Sequence, residues 1–521
     1  MDIDDLQERH HSGNVATMHD ATAEHHGDGL AIESHGAELT HTELKAASDR
    51  FAGGLADLGL DSGDVLLLFL PNCPQYIIAS LGAFKAGVPV SPVNPQYKGR
   101  ELSYQLEDSG AEAVLTHEAL RPRLDEVFDG LDRSVSVITV GDEVREADTA
   151  FEAVEGEPVT VDANGDDVAL LPYTSGTTGQ PKGVRLTHRN FRAQLCSTLA
   201  TSTTDLDAEA VRSLVWLPLY HITGFTHTAF QPLVGGGAVF MRSPANWDAD
   251  AAMSLIEEEE ITHYVGVTAM YVDMVESESF GDYDLTSLVS AGEGGAKMSV
   301  AVQQAFEDET GVDISEGYGL TETNGATHAQ TGSTYGLRHG TIGQPLRHTD
   351  CRVVDQHGEE VSVGEEGELL VRGPQVMQGY HNMPERTEAA FTESGFFRTG
   401  DIARRDDDNY YEIVDRKKHV IVSAGYNIYP SEVEGLVNEH EAVAESAVVG
   451  IPDDRRNEVP KAFVVPARGV EPGTDITEEA VKQFVLDEIA EYKHPREVEF
   501  VDELPRTASG KIKKYQLRDR E

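Results

Sequence analysis

Residues 173–184 read YTSGTTGQPKGV and collect residue types suited to holding a polyphosphate. Gly176, Gly179 and Gly183 let the backbone approach a ligand closely. Successive N–H groups in such a turn form an anion-binding concavity. Thr174, Ser175, Thr177 and Thr178 add hydroxyls, and Lys182 adds a positive charge. No Gly-Lys-Ser/Thr closes the stretch, so it is not a Walker A loop. A Gly/Thr-rich surface loop has the same composition, and the loop alone leaves both readings open. Further down the chain, Glu322 ends YGLTE at 318–322. A carboxylate beside a triphosphate can hold Mg²⁺, a hard cation that prefers oxygen ligands; read alone, it is a surface carboxylate. Asp401 ends FRTGD at 397–401 and can accept hydrogen bonds from two ribose hydroxyls. Lys511 ends LPRTASGK at 504–511, on a Gly-bounded loop from which a lysine can reach a site and offset developing charge. Arg416, Lys417 and Lys418 form a basic cluster, and His221 ends WLPLYH at 216–221.

These groups need a scaffold. Leu44, Ala47, Phe51, Leu55 and Leu58 recur at helical spacing and predict a helix opened at Thr40 or Thr42 and ended by Gly59. Residues 65–70 predict a buried strand, 76–86 a helix closed by Gly87, 88–93 a strand, 101–108 a helix and 113–115 a strand. One more strand is expected at 135–140. Residues 168–172 predict the strand leading into the phosphate loop, and 187–201 the helix after it. Strands at 211–219, 264–267 and 288–290 and a helix at 249–260 follow. Such alternation implies parallel strands with right-handed crossovers, a doubly wound α/β arrangement. From about 340 to 414 short alternating runs predict a β-rich subdomain. A charged segment at 415–418 is the expected hinge between a large domain, 1–414, and a small one, 415–521. The small domain predicts a strand at 420–423, a helix from Ser431, a hairpin of 444–451 with 461–466, and a helix at 476–489, an α+β unit. Residues 1–30 read as a polar tail whose histidines (His10, His11, His25, His26) lie on the surface.

The 521 residues carry 41 basic and 91 acidic side chains, a net charge of −50. Nucleic acid is excluded as a partner, because its phosphates would be repelled. The acidity is spread through the chain and resembles that of proteins working in molar salt, where screening offsets self-repulsion. Cys73, Cys196 and Cys351 make neither a disulfide framework nor a metal-binding spacing. The acidic, polar start is not a signal peptide, and no apolar run is long enough to span a bilayer. A cytoplasmic protein is expected; a homodimer is an open assembly.

Taken in order, these stretches resemble the adenylate-forming superfamily: acyl-CoA synthetases, coumarate–CoA-ligase-like enzymes, luciferases and adenylation domains. TSGTTGxPKGV is its phosphate-loop signature, and the resemblance covers nearly all of residues 40–515. It implies that Thr174, Ser175, Gly176, Thr177, Thr178, Gly179 and Lys182 hold the ATP phosphates. Glu322, with Thr174 as a second contact, would hold Mg²⁺, and Thr321 would lie against the AMP phosphate. Gly292, Glu293, Gly294, Glu316, Gly317, Tyr318 and Gly319 would border the nucleotide, although AGEGGAKM departs from the usual AGAPL or AGEPL form. Asp401 would take the ribose, and Arg416 the ribose or phosphate. Lys511 would be the principal catalytic residue, with Lys182 and His221 beside it. Lys418 takes the hinge position, and Gly425 and Tyr426 border the coenzyme A passage. The acyl pocket would be walled by His221, Phe225, Gly266, Val267, Tyr271 and Gly319, with Gly266 and Gly319 leaving room for an extended chain or an aryl group. The implied activity is ATP-dependent acyl-CoA synthesis from a carboxylic acid, a fatty acid first and an aryl acid second. Loading of a carrier protein in trans, luciferase-like oxygenation and a silent ATP-binding regulator are the alternatives.

Overall fold

The structure is a computed structural model describing residues 13–174, 181–201, 206–294, 298, 300–417, 419–423, 426–453, 456–489, 493–506 and 512–518. Several expected site residues lie outside these: Ser175, Gly176, Thr177, Thr178, Gly179, Lys418, Gly425 and Lys511, together with the side chain of Tyr426. By packing, the chain forms two units: Met1–Asp350 with Val371–Phe397, and Cys351–Leu370 with Arg398–Glu521.

Among the described residues, the first unit holds two nine-stranded sheets. One is centred on Leu66–Phe69, whose four side chains are all buried, as expected of a strand covered on both faces. Parallel neighbours Val90–Pro92 and Ala113–His117 flank it. Val168–Leu170 extends the sheet in parallel, and Lys182–Thr187 closes back on it antiparallel. Tyr173–Thr174 and Gly379–Tyr380 then pair with Lys182–Thr187 from opposite sides. The second sheet runs in parallel through Ile314–Leu320, Ser290–Gly294, His263–Gly266, Arg212–Val215, Ala238–Met241 and Leu30–Ser34. Gly325–Ala329 folds back antiparallel on Ile314–Leu320. The expected strand at 288–290 lies further along, at Ser290–Gly294, so its glycines belong to the sheet.

Local signals explain the helices. Thr40 caps His41–Asp57, accepting from the Glu43 N–H while the Glu43 side chain returns to the Thr40 N–H. Pro74 opens Pro74–Ala86, and Gly87 closes it at φ 74°. The expected polar tail is corrected in part. Residues Ala16–His26 form a helix that buries Ala16, Met18, His19, Thr22 and Ala23, and His26 pairs with Glu209 at 3.1 Å. Its small and polar buried face carries no apolar stripe that periodicity could detect. Asp20 of this helix and Asp49 hold the fully buried Lys85 ammonium at 2.7 and 2.5 Å, and the Lys85 ammonium also donates to Ser48 Oγ at 3.0 Å.

The second unit carries a four-stranded sheet ordered Asp350–Val354, Gly367–Arg372, Phe397–Arg405 and Tyr411–Arg416. It also carries the long hairpin of Val443–Asp453 with Asn457–Pro466. Helices Pro430–Asn438 and Glu478–Glu488 cover that hairpin around Val433, Val448, Val464 and Val481. Among the described residues, no helix is long and apolar enough to cross a membrane.

Candidate active site

In the first unit, strands Ser290–Gly294 and Ile314–Leu320 lie side by side, with Gly292 opposite Ser315, Glu293 opposite Glu316 and Gly294 opposite Gly317. Ligands of open α/β sheets bind outside the carboxyl ends of such strands. Alternation sends every second side chain to the packed face. Glu293 and Glu316 fall there, 3 and 4% exposed. Glu293 accepts from Thr268 Oγ1 at 3.0 Å, and Glu316 accepts from the Gln303 amide at 2.6 Å. Their carboxylates are therefore committed to protein partners, and what they can offer a nucleotide is backbone. Among the described residues, Gly294 and Gly317 stand open: a Cβ at Gly294 would find only Thr223 Cγ2 at 3.9 Å, and one at Gly317 nothing nearer than 3.7 Å.

The space expected beside Gly266 and Gly319 is already filled. A Cβ at Gly266 would meet the Tyr264 hydroxyl at 2.7 Å and Tyr271 at 3.1 Å. One at Gly319 would lie 1.8 Å from the Gly325 carbonyl oxygen. At both glycines the direction a side chain would take is occupied by neighbouring protein. Tyr271 is fully buried and donates to the Gly292 carbonyl at 2.8 Å. Phe225 lies among aromatic rings, 4.5 Å from Phe230 and 5.7 Å from Phe191, as core. Val267 is half-buried ahead of helix Thr268–Glu276.

Past Leu320 the chain turns sharply. Thr321–Thr323 is a short 3₁₀ turn, followed by Asn324 at φ 55° and Gly325 at φ 102°. The Thr323 hydroxyl lies 3.0 Å from the Leu320 carbonyl and 2.7 Å from that of Gly325. From outside, His227 Nε2 accepts the Ala326 N–H at 3.1 Å. That leaves Nδ1–H to donate to Gln231 at 3.3 Å. Desolvation pushes His227 down to about 4, so its ring stays neutral. His227 stands in a π-helix, Thr223–Phe230, a rare form that recurs at functional sites. His221 lies just before it, half-buried, with Nδ1 accepting from the Thr223 N–H at 3.3 Å.

This turn presents Glu322. The Tyr380 hydroxyl donates to Glu322 Oε1 at 2.9 Å, and Lys182 Nζ stands 4.0 Å above the Tyr380 ring. The Met377 N–H donates to the Glu322 carbonyl at 2.8 Å. Burial lowers the Lys182 pKa, and the Glu322 carboxylate pulls it back up. Thr174 pairs with Lys182 across the adjoining strands, and among the described residues its buried Oγ1 has no hydrogen-bond partner. Tyr173 is held by Asp108 at 2.7 Å. The structure thus gathers Lys182, Thr174 and Glu322 from distant segments. Tyr380 and His227 were invisible in the sequence, since neither sits in a recognisable pattern.

In the second unit, Asp401 and Arg416 face each other across an antiparallel pair, and Arg416 Nε meets Asp401 Oδ1 at 2.7 Å. Asp401 is 1% exposed. Its N–H donates to Thr399 Oγ1 at 3.1 Å, and Thr399 donates to the Leu369 carbonyl at 2.7 Å. Two residues expected separately at a ribose are thus one ion pair.

Among the described residues, no group of three or more His, Cys, Asp or Glu is arranged to hold a metal ion. Mg²⁺ usually binds one or two carboxylates and completes its shell with phosphate oxygens and water. Glu322 and the Thr174 hydroxyl, unpartnered among the described residues, offer oxygens of the kind Mg²⁺ takes, and Lys182 offers a charge for phosphate.

Residues 19–381 match the AMP-binding enzyme family, and residues 432–511 match the AMP-binding enzyme C-terminal domain. The chain is 34% identical over 532 residues to a long-chain-fatty-acid–CoA ligase of Bacillus subtilis (strain 168), covering 95% of this chain and 92% of that protein. It is 36% identical over 490 residues to a feruloyl-CoA synthase of an Amycolatopsis species, covering 94% and 95%. Its fold matches, at a TM-score of 0.82 and 28% identity, o-succinylbenzoate coenzyme A synthetase of Bacillus subtilis in complex with ATP and a magnesium ion, over 97% of this chain and 99% of that one. The chain belongs to the AMP-binding enzyme family, the adenylate-forming superfamily of acyl-CoA-synthetase-type ligases.

Proposed function

We propose that this chain is an ATP-dependent acyl-CoA synthetase that takes a fatty acid. The observation that supports it most is the convergence of Lys182, Thr174 and Glu322, the last on the turn that follows strand Ile314–Leu320. A carboxylate oxygen of the acid attacks the α-phosphorus of ATP, and the bond to the bridging oxygen breaks to release pyrophosphate. Lys182 and Thr174 hold the departing phosphates. Glu322 would hold Mg²⁺, which offsets the charge of the anionic transition state. Thr321 contacts the α-phosphate, Tyr318 borders the adenine, and Asp401 and Arg416 take the ribose. Lys511 reaches the α-phosphate from the C-terminal loop. The part beyond Val414 then turns about Lys418 and brings Gly425 and Tyr426 to the site. The coenzyme A sulfur attacks the acyl carbonyl near His221, and AMP leaves. Turning of this kind is a recognised gating step.

The fatty acid rests on likeness to the Bacillus subtilis ligase, and the feruloyl-CoA synthase makes an aryl acid the competitor. The working compartment is the cytoplasm, where ATP and coenzyme A are supplied. Pyrophosphate exchange over a panel of fatty and aryl acids, followed by coenzyme A transfer, tests the proposal. ATP binding without exchange for any acid would sink it in favour of a silent nucleotide-binding protein. Lys511→Ala is expected to abolish exchange while sparing thioester formation from preformed acyl-adenylate. Equal loss of both halves would remove Lys511 from its assigned role.

A further inference from the structure

Lys182 and Glu322 carry opposite charges on long side chains in the same partly buried region. Unrestrained, they would close into an ion pair and withdraw both charges from a bound phosphate. Tyr380 stands between them. Its ring takes the ammonium on its face at 4.0 Å, and its hydroxyl takes one carboxylate oxygen at 2.9 Å. Both contacts suit the groups: the negative ring face attracts a cation, and a hydrogen bond to a carboxylate is short and strong. Tyr380 is only 7% exposed.

The backbone places the ring. Tyr380 pairs with Val184 on the strand that carries Lys182, and the His381 N–H reaches the Gly183 carbonyl at 2.8 Å. The Tyr380 N–H is taken by Thr387 Oγ1 at 2.9 Å. Three residues earlier, the Met377 N–H holds the Glu322 carbonyl. One short segment, 377–381, is therefore bonded to both elements that bear the charges.

We propose that Tyr380 is a positioning residue for the cation–phosphate site, a spacer that keeps Lys182 and Glu322 apart and aimed outward until Mg·ATP arrives. By engaging Oε1, it leaves the second oxygen of Glu322 for the metal. The inference rests on the reading of Glu322 as cation ligand and Lys182 as phosphate ligand, and the test separates the two.

Binding of Mn²⁺ in the presence of ATP and absence of any acid, so that nothing turns over, is read from the free-ion electron paramagnetic resonance signal. Tyr380→Phe keeps the ring and removes the hydroxyl. It is expected to weaken Mn·ATP binding about tenfold, the size of one hydrogen bond to a charged group. Tyr380→Leu removes both contacts and is expected to weaken it further. The KM for the acid and the unfolding midpoint of Tyr380→Phe are expected to stay at the parent values. Glu322→Gln is measured beside them. Parent-like binding in Glu322→Gln would overturn the metal assignment. Weak binding in Glu322→Gln with parent-like binding in Tyr380→Phe would overturn the spacer alone. A drop in midpoint and a rise in acid KM matching the loss of Mn·ATP affinity would reduce Tyr380 to packing. If Tyr380→Leu does not fold, the near-isosteric Tyr380→Phe decides.

Discussion

Gly319→Ala distinguishes a filled site from an open one. The new Cβ would stand 1.8 Å from the Gly325 oxygen, 2.4 Å from the Gly325 carbonyl carbon and 2.7 Å from Ala326 Cα. All three are backbone atoms, so no rotamer change relieves them. Ordinary contact begins near 3.4 Å, so the paired strands must part by about 1.5 Å. Overpacking of this kind costs about 1–3 kcal/mol. The same hairpin pairs Leu320 with Gly325 and ends in the turn that presents Glu322. A displacement of about 1 Å at a catalytic group can cost roughly 100-fold in rate. Pyrophosphate exchange is therefore expected to fall by about that factor for every acid in the panel, with the ranking of acids unchanged and the unfolding midpoint lowered. Gly294→Ala is the companion, since among the described residues its Cβ meets nothing nearer than 3.9 Å. It is expected to keep the parent midpoint and to alter only ligand constants. If Gly319→Ala instead leaves short acids at the parent rate and rejects only long ones, Gly319 lines the acyl path and the reasoning is refuted.

Acid sensitivity should centre on His19 and His41, whose rings bond each other at 3.2 Å. Burial, with Lys85, Lys45 and the other ring adding to it, pushes His19 down to about 3; burial also brings His41 to about 4. Asp49 opposes the shift at His19, and Glu209 opposes it at His41. Folded values below the ordinary 6.5 mean that the unfolded chain binds more protons. This stability is complete above pH 6.5 and is lost as pH falls through about 4 for His41 and about 3 for His19. Thermal midpoints across that window should drop, and His19→Leu should make the drop shallower; an unchanged slope would exonerate the pair. A net charge of −50 predicts a midpoint that rises with KCl from about 0.1 M to about 1 M, as the Debye length falls from about 10 Å to about 3 Å. A flat or falling midpoint would remove the case for salt adaptation.

Much of the scaffold was legible from local rules. The apolar run at 65–70, Thr40 with Glu43, and Pro74 with Gly87 each carry their own start and stop signals, and the elements appear there. The stretches that carry the family likeness were legible too, because TSGTTGQPKGV, YGLTE and FRTGD are each contiguous in the chain. Helix Ala16–His26 was hidden, since polarity and small size conceal its buried face until Lys85 and its carboxylate partners are assembled. Glu293 and Glu316 show a second limit. Whether a strand side chain faces ligand or core depends on which sheet face is covered, and that is set by register with its neighbours.

By itself, then, the sequence determined the family and the order in which its chemical stretches occur. Tertiary structure decided which of their residues meet. Tyr380 reaches Glu322 across 58 residues, and Asp401 meets Arg416 through strand register. Four similar glycines divide into two that are open and two that are filled. A residue's type limits what it can do, but its vacancy, partner and charge depend on atoms brought close by folding, and those are absent from any local window of the chain.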